Sequence, residues 1–147
     1  MGFAIESTTK GRGLSTEDCI AAGATLATGE LIALTAGAGK ETGTLCATTA
    51  VPHGIVVLGG IVGATCTFVR IMPGDILKAK ATAADGTTAL SAAEVTAAIA
   101  LVGSQAMQIS ATGLTFDGAT ASGSGKLELV SFDPNTKDAR VRIPIVS

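Results

Sequence analysis

The chain has no tryptophan and no tyrosine, and only four phenylalanines among its 147 residues. A thick core built on aromatic rings is therefore excluded, because such rings supply the largest buried area per residue. A nucleic-acid platform is excluded with it, since that needs aromatics to stack bases and clustered cations to meet phosphates. Ten Lys and Arg stand against twelve Asp and Glu, for a net charge of −2. Charged residues make up 15% of the chain, well below the roughly 25% of an ordinary soluble domain. The single histidine, His53, excludes a multi-histidine metal centre. The three cysteines, Cys19, Cys46 and Cys66, contain no C-x-x-C spacing. They predict buried free thiols in a reducing cytoplasm, with a Cys46–Cys66 disulfide as the alternative.

Long apolar runs are also missing. "GIVVLGGIVGATCTFV" ends at Arg70, too short and too glycine-rich for a membrane span of about 20 residues. The start, "MGFAIESTTKGRG", has no apolar signal core, and Glu6 stands where a myristoylation motif needs Ser or Thr. The expectation is a soluble protein with neither membrane nor nucleic-acid partner.

Small residues fill the space instead. Alanine, threonine and glycine occupy 65 of the 147 positions. They suit closely packed sheets and flat contact surfaces. A mean hydropathy of +0.52 with so few charges predicts apolar surface that another chain covers.

Residues 1–19 are polar and broken by Gly11, Arg12 and Gly13. They read as an extended N-terminal arm that a partner orders and that the fold itself does without, with a plain first strand and a loose end as the alternative. Residues 20–147 read as a single β-rich domain. From Ala24 onward, strand-length runs alternate with turn residues. Thr65 to Met72 and Ile76 to Thr82 are predicted strands flanking a tight Pro73-Gly74-Asp75 turn, with Asp85-Gly86 the next turn. "TGELIAL" and "PGDILKA" echo each other 45 residues apart. They point either to a duplicated β-hairpin or to chance in a low-diversity sequence.

One helix is predicted, from about 91 to 102. Ser91 and Glu94 match a capping box, Val95, Ile99 and Val102 form one apolar stripe, and Gly103 fits the stop. Asp133-Pro134-Asn135 predicts a turn. In "ARVRIPIVS", Arg140 and Arg142 face one way and Val141 and Ile143 the other, and Pro144 predicts an edge strand. The fold class that follows is mainly β: an antiparallel β-barrel or sandwich with one short helix.

Catalytic chemistry is not legible. His53 sits in a proline turn, and Asp75, Asp85 and Asp117 stand beside glycines in turns, while Glu94 belongs to the helix cap. Ser124 lies in a glycine tip rather than a G-x-S-x-G elbow. Gly39-Lys40 and Gly125-Lys126 resemble the end of a phosphate-binding loop. However, Leu34 and Thr120 replace the first glycine, and Glu41 and Leu127 replace the hydroxyl that would hold Mg²⁺. No catalytic, cofactor-binding or metal-ligating residue is assigned, and the protein is expected not to be an enzyme.

From Ala24 to Asp133 the order of features resembles small capsid decoration, or cement, proteins of tailed bacteriophages. The resemblance rests on the glycine-punctuated strands, on "FVRIMPGDILKAKATAADG", on the Ala-rich insert leading to "VGSQAM", and on "GKLELVSFD". The Ser91 helix departs from that pattern. The resemblance implies a β-rich module that binds a major capsid protein on the outside of the virion, is made in the host cytoplasm, and reinforces the shell. The scarcity of charge and the apolar excess in Ala, Val and Ile predict a homo-oligomer, and the resemblance favours a trimer, from the three-fold positions of icosahedral shells. A β-module of a phage tail, fibre or surface assembly is the alternative, and a nucleotide-binding protein the third reading.

Overall fold

A computed structural model describes residues 2–8, 11, 13–120 and 127–145. The glycine-punctuated runs become short strands. These are β1 (Ala4–Ser7), β2 (Thr16–Ala21), β3 (Leu31–Thr35), β4 (Thr42–Leu45), β5 (Gly54–Leu58), β6 (Thr65–Arg70) and β7 (Ile76–Thr82). After the helix α1 (Ala92–Ala100) come β8 (Gln108–Ile109), β9 (Phe116–Asp117), β10 (Glu128–Phe132) and β11 (Asp138–Arg142). The architecture is mainly β with one short helix, as the sequence predicts. The choice between barrel and sandwich resolves to a closed barrel joined to an open sheet.

The barrel runs β2-β4-β3-β5-β6 and closes on itself. Its pairings are antiparallel except β2 with β4. Cys19, Ala21, Leu26, Ile32, Val56, Cys66 and Phe68 fill the interior. The bore is narrow. A methyl on Gly54 would lie 2.7 Å from Cδ2 of Phe68, and one on Gly43 would lie 2.8 Å from Sγ of Cys19. One ring with small neighbours is what such a bore accommodates, which is a physical reason for the scarcity of aromatics.

The second sheet runs β10-β11-β7-β9-β8, with β1 also paired to β7. Alternation along β7 and β11 buries Leu77, Ala79, Ala81, Ala139 and Val141. The buried face meets Met107, Ile109, Phe116 and Leu129, together with Leu31 and Ile55 from the barrel strands, so the two sheets share one core. Phe3 packs edge-on against Phe116, with ring centroids 4.8 Å apart.

Several expectations change. Among the described residues of 1–19, the first-strand alternative fits better than the arm. Ala4–Ser7 pairs with β7, and the expected boundary at 19/20 falls inside β2, a barrel strand. Polar composition misled here, because a short strand that buries one face shows only alternate apolar residues. The last strand is not an edge either. β11 lies between β10 and β7, and Pro144 falls beyond its end, where no ladder donor is needed.

The helix has the predicted capping box: Glu94 N–H donates to Ser91 Oγ, and Ser91 N–H donates to Glu94 Oε1. Its inward face differs from the expected stripe. Ala98 is buried and Val95 half-buried, while Ile99 and Val102 stay exposed. All three cysteines are buried and free. Cys46 belongs to the shared core and Cys66 to the barrel interior, so the residue opposite Cys66 is Cys19 rather than Cys46.

Candidate interaction surface

His53, Asp75, Asp85 and Asp117 have local structural duties. His53 Nδ1 accepts from Leu34 N–H at 2.9 Å, while its own N–H donates to Ile32 O and its carbonyl accepts from Ile71. His53 therefore bridges β3 and the end of β6. Asp75 accepts from Met72 N–H across the Pro73-Gly74 turn. Asp85 accepts from Thr87 and Thr88 N–H and from the Thr88 hydroxyl. Those bonds, the Thr88 hydroxyl first, hold its carboxyl down at about 2. Asp117 accepts from Ala119 and Thr120 N–H and from Gln108 Nε2. The structure keeps these groups apart in separate turns. Among the described residues no three His, Cys, Asp or Glu side chains converge on a metal-sized site.

Gly37 to Lys40 forms the turn between β3 and β4, with Gly39 at φ +86°. The next residue, Glu41, accepts from Arg70 Nη2 at 2.6 Å. Arg70 also makes two bonds to Glu17, each 2.9 Å. Arg70 follows Phe68 by two residues on β6 and so shares its face, with the guanidinium 5.5 Å from the Phe68 ring centre. Glu17, Arg70 and Glu41 together cap one mouth of the barrel. The bond from Arg70 pulls the Glu17 carboxyl below its usual range. Sequence reading missed this cap, because its members come from three strand regions and share no local motif. Most of the second loop candidate, including Ser124, Gly125 and Lys126, lies outside the described residues.

What remains for function is surface. The end of β5 and the turn after it expose Val57, Leu58, Ile61 and Val62, with Leu58 at 65% and Ile61 at 68%. Beside them runs an apolar groove between β1 and the outer barrel wall, lined by Phe3, Ile5, Leu14, Ile55, Val57 and Val69. Leu14 is 50% exposed. Ridge and groove together form an exposed apolar patch with no charge in the lining. Across β1, where Ala4 also borders Lys78, Lys80 and Asp138, the surface is different. On the outer side of β7 and β11, Lys80 pairs with Asp138, Arg140 with Glu6 and Arg142 with Glu128. This solvated face is laced by ion pairs of alternating sign. No helix among the described residues is long and apolar enough to cross a membrane.

No protein-family model and no curated protein matches the chain. One solved structure resembles it in fold: "The crystal structure of head fiber gp8.5 N base in bacteriophage phi29". The TM-score is 0.56 at 11% sequence identity, and the match covers 89% of this chain and 94% of the other. The fold of this chain, barrel and open sheet together, is thus similar to that of the base of a phage head fibre.

Proposed function

We propose that the protein is a non-enzymatic structural module on the outside of a tailed-phage head, binding the major capsid protein as a decoration or cement protein. The observation that carries this is the fold likeness to a head-fibre base, which extends over 89% of this chain and 94% of the other at a TM-score of 0.56. It agrees with the decoration-protein resemblance in the sequence. The apolar ridge at Leu58 and Ile61 supplies area for a partner. A symmetric homo-oligomer, most simply a trimer, fits a partner whose lattice offers three-fold positions.

A second reading has a specific observation in its favour. The matched structure is itself the base of a fibre, so this chain could seat a fibre or other surface appendage rather than stand alone on the shell. Nothing in the described residues supports the nucleotide reading specifically: Glu41, where the loop would need a hydroxyl, accepts from Arg70. Electron microscopy of heads made with and without the protein separates these readings. A decoration protein adds compact density at repeated shell positions, a fibre base adds the foot of a projecting appendage, and unchanged heads would contradict both.

A further inference from the structure

Cys19 on β2 and Cys66 on β6 are register partners in an antiparallel pair. Neither has exposed surface, and both side chains lie inside the barrel. The backbone fixes the kind of pair. Ala21 N–H donates toward β6, to Ala64 O at 2.9 Å, while Ile20 and Ala22 donate the other way, to Glu41 and Gly43. Cys19 shares the parity of Ala21, so it faces Cys66 across a hydrogen-bonded pair, with Cα atoms about 5.5 Å apart. That separation lies within the roughly 4.4–6.8 Å that a disulfide spans. Cβ atoms in such pairs stand about 5 Å apart, wider than the preferred ~3.8 Å. The bond would therefore be strained and easily reduced. Gly43 makes room beside Cys19, since a methyl there would press on its sulfur. Cys46 sits in the other core, its thiol directed to the carbonyls of Ala47 and Ala50.

We propose that Cys19 and Cys66 are an oxidisable dithiol that staples β2 to β6 when the protein meets peroxide. One thiol is oxidised to a sulfenic acid as the peroxide O–O bond breaks and one water leaves. The second sulfur then displaces that hydroxyl, forming the S–S bond and releasing a second water. Between the two cysteines run β3, β4 and β5, so the staple encloses every other barrel strand and restricts the unfolded chain most where the barrel must close. Burial pushes both thiols up, that of Cys66 to about 11. The reaction is accordingly slow at neutral pH and faster as pH rises. On the reading given above, the oxidising medium outside the host supplies the occasion. The test uses isolated protein, so the staple and the capsid reading fail separately.

The protein is treated with hydrogen peroxide at pH 8.5, alkylated under denaturing conditions, and mapped by mass spectrometry. The expected result is a mass loss of about 2 Da, one cross-linked Cys19–Cys66 peptide, and an alkylated Cys46. Tm should rise by about 5 °C or more and return when dithiothreitol is added. Cys46→Ala should behave like the wild type, and Cys19→Ala should show no mass loss. Three alkylated thiols, added oxygen without the cross-link, or a disulfide involving Cys46 in the wild-type protein would each overturn the proposal.

Discussion

Val56 holds the Glu30 turn as Ile143 holds the Asp75 turn. Gly29 N–H donates to Val56 O and Val56 N–H donates back to Glu30 O; Gly74 and Asp75 exchange the same two bonds with Ile143, all between 2.8 and 3.0 Å. Inside each turn the acid accepts from the backbone N–H three residues earlier, Ala27 for Glu30 and Met72 for Asp75. The register continues in step. Leu31 and Ile32 oppose Ile55 and Gly54, as Ile76 and Leu77 oppose Arg142 and Val141. The 45-residue echo is thus one turn-and-latch unit used twice, once in the barrel and once in the open sheet. It is not a repeated hairpin, because β3 pairs with the next strand, β4, whereas the chain after β7 runs to α1.

Both copies require glycine at the same place. Gly29 and Gly74 each have φ +90°, a conformation in which a β-branched residue is strained. Gly29→Val and Gly74→Val should each destabilise by more than about 1 kcal/mol. Denaturant titration checks this, and a midpoint unchanged at either site would remove the equivalence.

The N-terminal residues are part of the fold. Deleting residues 1–13 removes β1 and with it Phe3, which is 6% exposed and packed on Phe116. Phe3→Ala alone should cost about 3 kcal/mol, and the deletion should lower Tm further. Equal melting of the full and truncated chains would return these residues to the role of a free arm.

Two carboxylates make opposite pH predictions. Burial raises Glu30 above its usual range. Its contribution is therefore fully present below the unfolded pKa and is lost as pH rises through the folded one. Glu30→Gln keeps an acceptor for Ala27 without the charge, so it should melt higher than wild type at pH 7 and lose that advantage near pH 4. Glu17 is lowered by Arg70, so its contribution is present above the unfolded pKa and lost as pH falls through the folded one. Arg70→Ala should destabilise by about 1 kcal/mol at neutral pH and low salt, and less in high salt or acid. Melting curves across pH 3–8 check both signs.

The turn at Lys40 is expected to bind no nucleotide. Calorimetry with ATP and Mg²⁺ should register no heat with wild type or with Lys40→Ala. Micromolar binding that the substitution abolished would revive a nucleotide site.

Local features were legible in the sequence. Ile76 to Thr82 matches β7 residue for residue, the Pro73-Gly74-Asp75 turn has its positive φ, and Ser91 and Glu94 cap the helix as expected. These depend on residues a few positions apart. Barrel closure does not, since β2 meets β6 across 49 positions at Asp18 and Thr67, and alternation reveals a buried face without naming its neighbour. The inner face of α1 was misread for a related reason. Ala98 allows close approach to the core, whereas a hydrophobicity stripe favours the larger Ile99 and Val102. The ridge at Leu58 and Ile61 lay in the longest apolar run, but composition alone does not tell an exposed turn from a buried strand.

Under the proposed function, the protein attaches to a phage head through the apolar ridge at Leu58 and Ile61. The direct measurement is cosedimentation of wild type and Leu58→Asp/Ile61→Asp with empty heads, alongside sedimentation of each protein alone. Both side chains are mostly exposed, so the double variant should fold and melt like wild type. Wild type should cosediment saturably at repeated sites, and the double variant should bind at least about tenfold more weakly, or roughly 1.4 kcal/mol. A wild-type protein that never sediments with heads would contradict it.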